Sequence, residues 1–205
     1  MAAAVAAVAL LLAAVSPEID VEAARRAITL GASVPGLGVL RSVTRAAPTI
    51  LLFATLLALW RRWRRKACDV RRTAASAILL IATFALGPGL LVNALLKEQS
   101  HRPRPLQTAE VVGAGQPFRP FYAFDGACEH NCSFSSGEAA AAFWTVAPAL
   151  VAPPALVGPA VAAALAFGTT VAAMRMLAGA HYLSDVAFSA LGMIVLIAIA
   201  RRISG

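Results

Sequence analysis

Residues 54–84 read ATLLALWRRWRRKACDVRRTAASAILLIATF, and they indicate the class of protein to which the chain belongs. It joins two apolar runs through a segment, residues 61–72, that holds seven basic residues and one acid. Apolar runs of about 20 residues joined by short basic loops are typical of helices that cross a lipid bilayer. The pattern therefore predicts a membrane protein with residues 61–72 on the cytoplasmic side.

The whole chain has the composition expected of a membrane protein. Of its 205 residues, 60% are hydrophobic and 14% are charged, and the mean hydropathy is +0.75. The net charge of +8 does not indicate nucleic-acid binding, because the basic residues lie between apolar runs and not in one patch. We expect a single membrane-embedded domain, residues 1–205, with no nucleic-acid partner.

Further apolar runs predict an all-α integral membrane protein with about six transmembrane helices. The predicted spans are residues 2–15, 39–60, 73–96, 136–154, 156–174 and 182–200. The first span is short and could instead be the core of a signal peptide. Residues 18–30 predict an N-terminal amphipathic helix, since Ser16 suits its N-cap and Pro17 its first turn. Gly87-Pro88-Gly89 predicts a kink in the third span.

The distribution of charge predicts the orientation of these spans. With residues 61–72 inside, residues 97–135 and 175–181 lie outside, and Arg201-Arg202 lies inside. Nine of the ten acidic residues and all three histidines then share the outer side. Arg41 and Arg45 fall near the start of the second span, where we expect their long side chains to reach the membrane interface.

Two cysteines, Cys128 and Cys132, lie four residues apart in the outer polar segment. At this spacing they could form a disulfide in an oxidising compartment, or they could be two small loop residues. A structural zinc site is not expected, because no further Cys or His stands at ligand spacing.

Three polar clusters are predicted to meet at the outer face. They are Lys97 with Arg104-Pro105, Ser135-Ser136-Gly137-Glu138, and Arg175 with His181 and Asp185. Lys and Arg side chains offer positive charge and N–H donors to phosphate oxygens, and a helix N-terminus favours an anion. His181 and Asp185 share a helix face, so the carboxylate can hold the Nδ1 proton and leave Nε2 free to attack phosphorus.

Each cluster also has an ordinary structural explanation, as an interfacial anchor, a helix cap or a hydrogen-bonded pair. Their joint arrival on one side of the membrane favours function, because ionisable groups at membrane depth are rare and costly. Together the clusters supply the parts of a phosphoryl-transfer site.

The spacing of these residues resembles that of the type-2 phosphatidic acid phosphatase family. The family motifs read K-x6-R-P, P-S-G-H and S-R-x5-H-x3-D, and this chain has Lys97-x6-Arg104-Pro105, Ser135-Ser136-Gly137-Glu138 and Met174-Arg175-x5-His181-x3-Asp185. The resemblance implies hydrolysis of a lipid phosphate monoester or diphosphate on the outer side of the cell inner membrane. His181 would form a phosphohistidine oriented by Asp185. The phosphate-binding residues would be Lys97, Arg104, Ser136, Gly137 and Arg175, with no metal or other cofactor.

Three positions depart from the family pattern. Ser135 replaces Pro, Met174 replaces Ser, and Glu138 stands where the family has the His that protonates the leaving oxygen. Glu138 can be the general acid only if it carries a proton, which burial favours and the nearby cations oppose. His101 is a second candidate acid, by its position alone.

The resemblance leaves the substrate and the reaction open. Phosphatidic acid, phosphatidylglycerol phosphate, undecaprenyl diphosphate and lipid A phosphates are candidates, and residues 131–138 (N-C-S-F-x-S-G-E) look like the lipid A 1-phosphatase branch. Two alternatives are a lipid phosphate transferase that uses the same phosphohistidine, and a lipid-binding relative without catalysis.

The predicted orientation can be tested with the three cysteines. After reduction, a membrane-impermeant thiol reagent added to intact cells should label Cys128 and Cys132 and spare Cys68, because only the first two are expected outside. Permeabilised cells are the control, in which Cys68 should also react. Labelling of Cys68 alone in intact cells would show that the orientation is inverted.

Overall fold

The fold is described by a computed structural model, which covers residues 16–65 and 69–204. Cys68 and the predicted first span, residues 2–15, lie outside the described residues. In the described ranges the chain is helical, and no strand is present apart from an isolated backbone bridge between Thr108 and Gln116.

The helices follow one another with short connections except for one long loop. Helix α1 is Pro17–Gly31 and α2 is Leu37–Arg64. Helix α3 runs over Val70–Phe84, continues as a π-helix over Ala85–Leu96 and ends with the turn Lys97–Gln99. The long loop contains a 3-10 turn, Pro105–Gln107, and the short helix α4, Ala109–Val112. It leads to α5, Gly137–Trp144, then α6, Val146–Leu150, α7, Pro154–Leu177, and α8, Leu183–Ser204.

Within the described residues, four helices are long and apolar enough to cross a membrane. They are Leu37–Arg64, Val70–Gln99, Pro154–Leu177 and Leu183–Ile203. These helices contain most of the predicted second, third, fifth and sixth spans, and they confirm an all-helical protein built from membrane-length apolar helices. The predicted number of six is not confirmed.

The predicted fourth span, residues 136–154, consists of two short helices, α5 and α6, and not of one continuous helix. Pro148 explains the division, because proline has no N–H and its ring clashes with the carbonyl four residues earlier, here that of Trp144. At the junction the Thr145 N–H bonds the Ala142 carbonyl at 3.2 Å, which is a tighter turn than an α-helix makes.

Helix α5 forms the centre of the core. Trp144 is fully buried, its indole Nε1 donates to Thr83 of α3 at 2.9 Å, and its ring meets Phe84 edge-on at 4.8 Å between centroids. Phe143 packs on Gly168 of α7, where a Cβ would overlap its ring. These contacts fix the C-terminal end of α5 between α3 and α7.

The predicted kink in the third span takes the form of a π-helix that includes Pro88. The wider turns accommodate the missing N–H of Pro88 without ending α3, and Asn93 donates from Nδ2 to the Pro88 carbonyl at 2.7 Å. Gly87 packs against Met193 of α8 so closely that a Cβ would overlap the methionine sulfur. The π-helix ends directly before Lys97.

Helix α1 lies against the end of the bundle where α7 ends and α8 begins. Ser16 caps it by accepting a hydrogen bond from the Ile19 N–H at 3.4 Å, with Pro17 in the first turn, as the sequence predicts. At its other end Gly31 touches the Leu177 carbonyl, and no Cβ would fit between them. One face of α1, which includes Asp20 and Ala24, is buried.

The substitution Gly31→Ala tests the docking of α1 on α7. The added Cβ overlaps backbone that cannot move aside, so we expect a loss of about 1–3 kcal/mol in the free energy of unfolding. Thermal unfolding in detergent, followed by tryptophan fluorescence, measures the change. Gly38→Ala is the matched control, since its Cβ would meet nothing within 4 Å and alanine favours a helix. An unchanged melting temperature in Gly31→Ala would contradict the docking.

Candidate active site

A cavity of about 400 Å³ lies at the same end of the bundle, between α2, α3, α5 and α7. Six of the eight predicted site residues line it: Lys97, Arg104, Gly137, Glu138, Arg175 and His181. The other two, Ser136 and Asp185, are buried behind its wall. The three polar clusters predicted from the sequence therefore meet in one place.

His181 precedes α8 and is almost completely buried. Its Nδ1 lies 2.8 Å from the Ser133 carbonyl, and because a carbonyl only accepts hydrogen bonds, Nδ1 must carry the proton. The lone pair then resides on Nε2, the nitrogen that can attack phosphorus. Burial lowers the pKa of His181, and the Asp185 carboxylate opposes this only in part, so the ring is neutral at neutral pH.

The position of Asp185 corrects the predicted hydrogen bond between its carboxylate and Nδ1 of His181. Asp185 Oδ2 is 3.5 Å from Nδ1, farther than the Ser133 carbonyl. The same oxygen accepts hydrogen bonds from the Ser133 hydroxyl at 2.5 Å and the Tyr182 N–H at 2.9 Å. Asp185 thus orients His181 indirectly, by holding the residue whose carbonyl fixes the tautomer, and places its negative charge beside the ring.

Asn131, which the sequence did not single out, holds two of the predicted phosphate-binding side chains. Its side-chain oxygen accepts from Lys97 Nζ at 3.2 Å, and its carbonyl accepts from Arg104 Nη2 at 2.8 Å. The residue has a positive φ of 51° and lies in the short loop that a Cys128–Cys132 disulfide closes. The disulfide, which the sequence left open, therefore lies next to the cationic wall of the cavity.

The Glu138 carboxylate lies between two guanidinium groups. Arg41 Nη2 donates to it at 2.7 Å, and Arg175 Nε is 3.5 Å from its other oxygen. Two such partners stabilise an ionised carboxylate, whereas the general acid predicted at this position must carry a proton. The head group of Arg41 thus lies in the cavity.

Ser136 and Gly137 have different roles at the start of α5. Ser136 Oγ accepts from the Ala139 N–H at 3.3 Å, so its side chain is the helix cap and does not line the cavity. Gly137 does line it, and a Cβ there would lie 2.5 Å from Asn93 Oδ1. His101, the second candidate acid, bonds the Cys128 carbonyl through Nδ1 at 2.9 Å and is not part of the cavity wall.

Five cations and one carboxylate line the cavity. The cations are Arg41, Arg45, Lys97, Arg104 and Arg175, and the carboxylate is Glu138. In the described ranges, no group of three or more His, Cys, Asp and Glu side chains is placed to hold a metal ion. The described residues thus offer a site for an anion with several negative oxygens.

Behind His181 lie two buried charged residues that the sequence interpretation missed, Asp20 of α1 and Arg102 of the long loop. Arg102 forms ion pairs with both Asp20 and Asp185. One signal was available for Asp20, because it lies on the face of α1 that also carries Ala24 and Gly31, where a charged residue is unexpected in a surface helix.

The chain is similar in sequence to several known proteins. The model of the PAP2 superfamily matches residues 76–205. Lipid A 4'-phosphatases from Rhizobium leguminosarum and Rhizobium etli are each 42% identical over 118 residues, 58% of this chain and 50% and 46% of those proteins. A lipid A 4'-phosphatase from Francisella tularensis subsp. novicida is 37% identical over 115 residues, 55% of this chain and 51% of that protein. The chain thus spans about half the length of these relatives. No solved structure matches it.

Proposed function

The chain belongs to the PAP2 superfamily, as its motifs predicted, and on this basis we propose that it is a membrane phosphatase that hydrolyses a lipid phosphate monoester. The strongest support is the buried His181, whose Nδ1 proton is held by the Ser133 carbonyl and whose ring lines a cavity with five cations. A neutral imidazole beside concentrated positive charge is suited to attack on a bound phosphate.

The proposed reaction has two steps. Nε2 of His181 attacks phosphorus, the bond from phosphorus to the lipid oxygen breaks, and a phosphohistidine forms. Water then attacks this intermediate and releases inorganic phosphate, which returns His181 to its starting state. Lys97, Arg104 and Arg175 would bind the equatorial oxygens and stabilise the charge that develops on them, with Gly137 at the N-terminus of α5 giving the phosphate room to approach.

We propose that Glu138 is the general acid of the first step. The bound phosphate would compete with Glu138 for Arg41 and Arg175, and a nearby dianion favours a proton on the freed carboxylate. Glu138 could then deliver that proton to the departing lipid oxygen. The ion pairs seen here would be those of the empty enzyme, in which Glu138 neutralises part of the positive charge of the cavity.

As substrate we propose lipid A, with removal of the phosphate at the 4' position. The stretch 131–138 favours the 1-phosphate. The three relatives with 37–42% sequence identity, however, all carry the name lipid A 4'-phosphatase. A second cavity of about 400 Å³ shares Arg41, Arg104 and Arg175 with the first and is also lined by Leu37, Leu106 and Met174. Its mixed wall suits a sugar with an acyl chain, and the charge pattern favours an outward-facing site in the inner membrane.

Phosphate release from lipid A in mixed micelles tests the proposed function. Wild-type protein should release inorganic phosphate without an acceptor lipid and in the presence of a chelator, and His181→Ala should lower the rate by orders of magnitude. The ordinary pKa of histidine is about 6.5, and burial lowers the pKa of His181. As the pH falls, kcat/KM should therefore decline only at a pH below that ordinary value. Mass spectrometry of the product shows which phosphate is lost.

The control for this experiment is His130→Ala, whose side chain is 86% exposed and outside the cavity. It should retain full activity. Release only when an acceptor lipid is present would indicate the transferase, and absence of release from every lipid phosphate tested would contradict the proposed function.

The role of Glu138 can be separated from binding by the choice of leaving group. Glu138→Gln should lower turnover of the lipid by about 10²–10⁴-fold and remove the decline of rate at high pH, because a poor leaving group needs the proton. It should affect p-nitrophenyl phosphate far less, since nitrophenolate leaves unprotonated. Arg41→Gln is the matched control, which removes the ion pair but keeps the acid and should preserve the alkaline decline. Near-normal lipid turnover in Glu138→Gln would exclude Glu138 as the acid.

A further inference from the structure

A chain of buried charges leads from α1 to the candidate nucleophile. Asp20, Arg102 and Asp185 are each at most 2% exposed. Arg102 Nη2 donates to Asp20 Oδ2 at 2.7 Å, and Arg102 Nη1 pairs with Asp185 Oδ1. The guanidinium group therefore joins the two carboxylates directly, without a solvent-exposed member.

The surroundings hold this triad in one arrangement. Arg102 Nε donates to the Arg119 carbonyl at 2.8 Å, and its guanidinium group lies 4.1 Å from the centre of the Tyr182 ring. Ser184 N–H donates to Asp20 at 2.8 Å, and the Ser184 hydroxyl also bonds Asp20. Arg102 and the Ser184 N–H can only donate, and such partners favour the ionised form of the Asp20 carboxylate. Burial raises the pKa of Asp20, and the charge of Arg102 acts against that rise.

The charges of the triad sum to −1 when both carboxylates are ionised. Without Asp20 the sum is zero, because Arg102 would neutralise Asp185 alone. The phosphorylated or protonated ring of His181 is positive and gains from a negative charge behind it, so the sum for the triad affects the reaction. Arg175 and Lys97 both oppose a positive ring. Three further cations and one carboxylate line the same cavity: Arg41, Arg45, Arg104 and Glu138.

We propose that Asp20 and Arg102 are positioning residues for His181, and that they act through Asp185. Asp20 compensates Arg102, so that Asp185 keeps its orientation and its negative charge beside the imidazole. Asp20 lies outside residues 76–205, the part matched by the family model, so the helix α1 adds a component to the site of this chain. This inference rests on the proposed phosphatase function.

The test compares the wild type with Asp20→Asn, Asp20→Asn/Arg102→Gln and the control Glu22→Gln. Glu22 is on the same helix, but its side chain is 49% exposed and pairs with Arg25 and Arg26. Each purified full-length protein is assayed on lipid A in mixed micelles for kcat, KM and the pH at which kcat/KM falls on the acid side, and its melting temperature is measured in detergent.

Asp20→Asn should lower kcat by about tenfold with little change in KM, the expected effect of losing one charged hydrogen-bonding partner. Its acid limb should move to lower pH, because a triad without net charge stabilises a positive His181 less. The double variant leaves Asp185 as the single charge, so its acid limb should return to the wild-type position. Its kcat should stay severalfold lower than that of the wild type, because Asp185 has lost the partner that holds its orientation. Glu22→Gln should match the wild type.

Three results would overturn the inference. They are an unchanged kcat in Asp20→Asn, an unmoved acid limb in that variant, and a wild-type kcat in the double variant. If the melting temperature shows that Asp20→Asn does not fold, the double variant decides, since replacing both members of a buried ion pair is often tolerated where removing one is not. A wild-type protein without phosphatase activity would instead contradict the proposed function. If the wild type is active and Asp20→Asn has the same kcat and pH dependence, only this inference is contradicted.

Discussion

The site depends on one constraint, which is that the Asp185 carboxylate is fully buried in a largely apolar protein. A buried charge without partners costs several kcal/mol, so Asp185 requires donors around it. Arg102 pairs with one of its oxygens, and the Ser133 hydroxyl and the Tyr182 N–H bind the other. These contacts connect the long loop, the link before α8 and, through Asp20, helix α1. Satisfying one carboxylate thus assembles the parts of the chain that surround His181.

The cavity wall that faces His181 carries an excess of positive charge. Five cations face one another across about 400 Å³, and without compensation they would repel. Glu138 compensates Arg41 and Arg175, and Asn131 binds Lys97 and Arg104 with its oxygens. Glu138 is one of the three departures from the family motifs, and its partner Arg41 comes from α2, outside residues 76–205. A phosphate would supply the missing negative charge.

Irregular backbone in the middle of the bundle brings the two walls together. The π-helix around Pro88 turns Gly87, Pro88 and Val92 into the protein, and most residues of α5 and α6, on either side of the division before Pro148, are buried. Trp144 fixes the end of α5 between α3 and α7, so that Gly137 and Glu138 reach the cavity. The short helices are the reason that the predicted fourth span is not a membrane-length helix.

The membrane-length helices, and the residues that meet at one end of them, could be predicted from the sequence, because long apolar runs and motif spacing are local properties. Lys97, Arg104, Glu138, Arg175 and His181 were all identified in this way, and all line the cavity. The partners of these residues could not be predicted, because they depend on how the helices pack. His181 bonds the carbonyl of Ser133, 48 positions away, and Glu138 pairs with Arg41, 97 positions away. Arg102 links Asp20 to Asp185, and its partners are up to 83 positions from it. The spacing of residues along the chain does not predict such long-range pairs. They form because buried charges and hydrogen-bond donors need partners once the helices have packed.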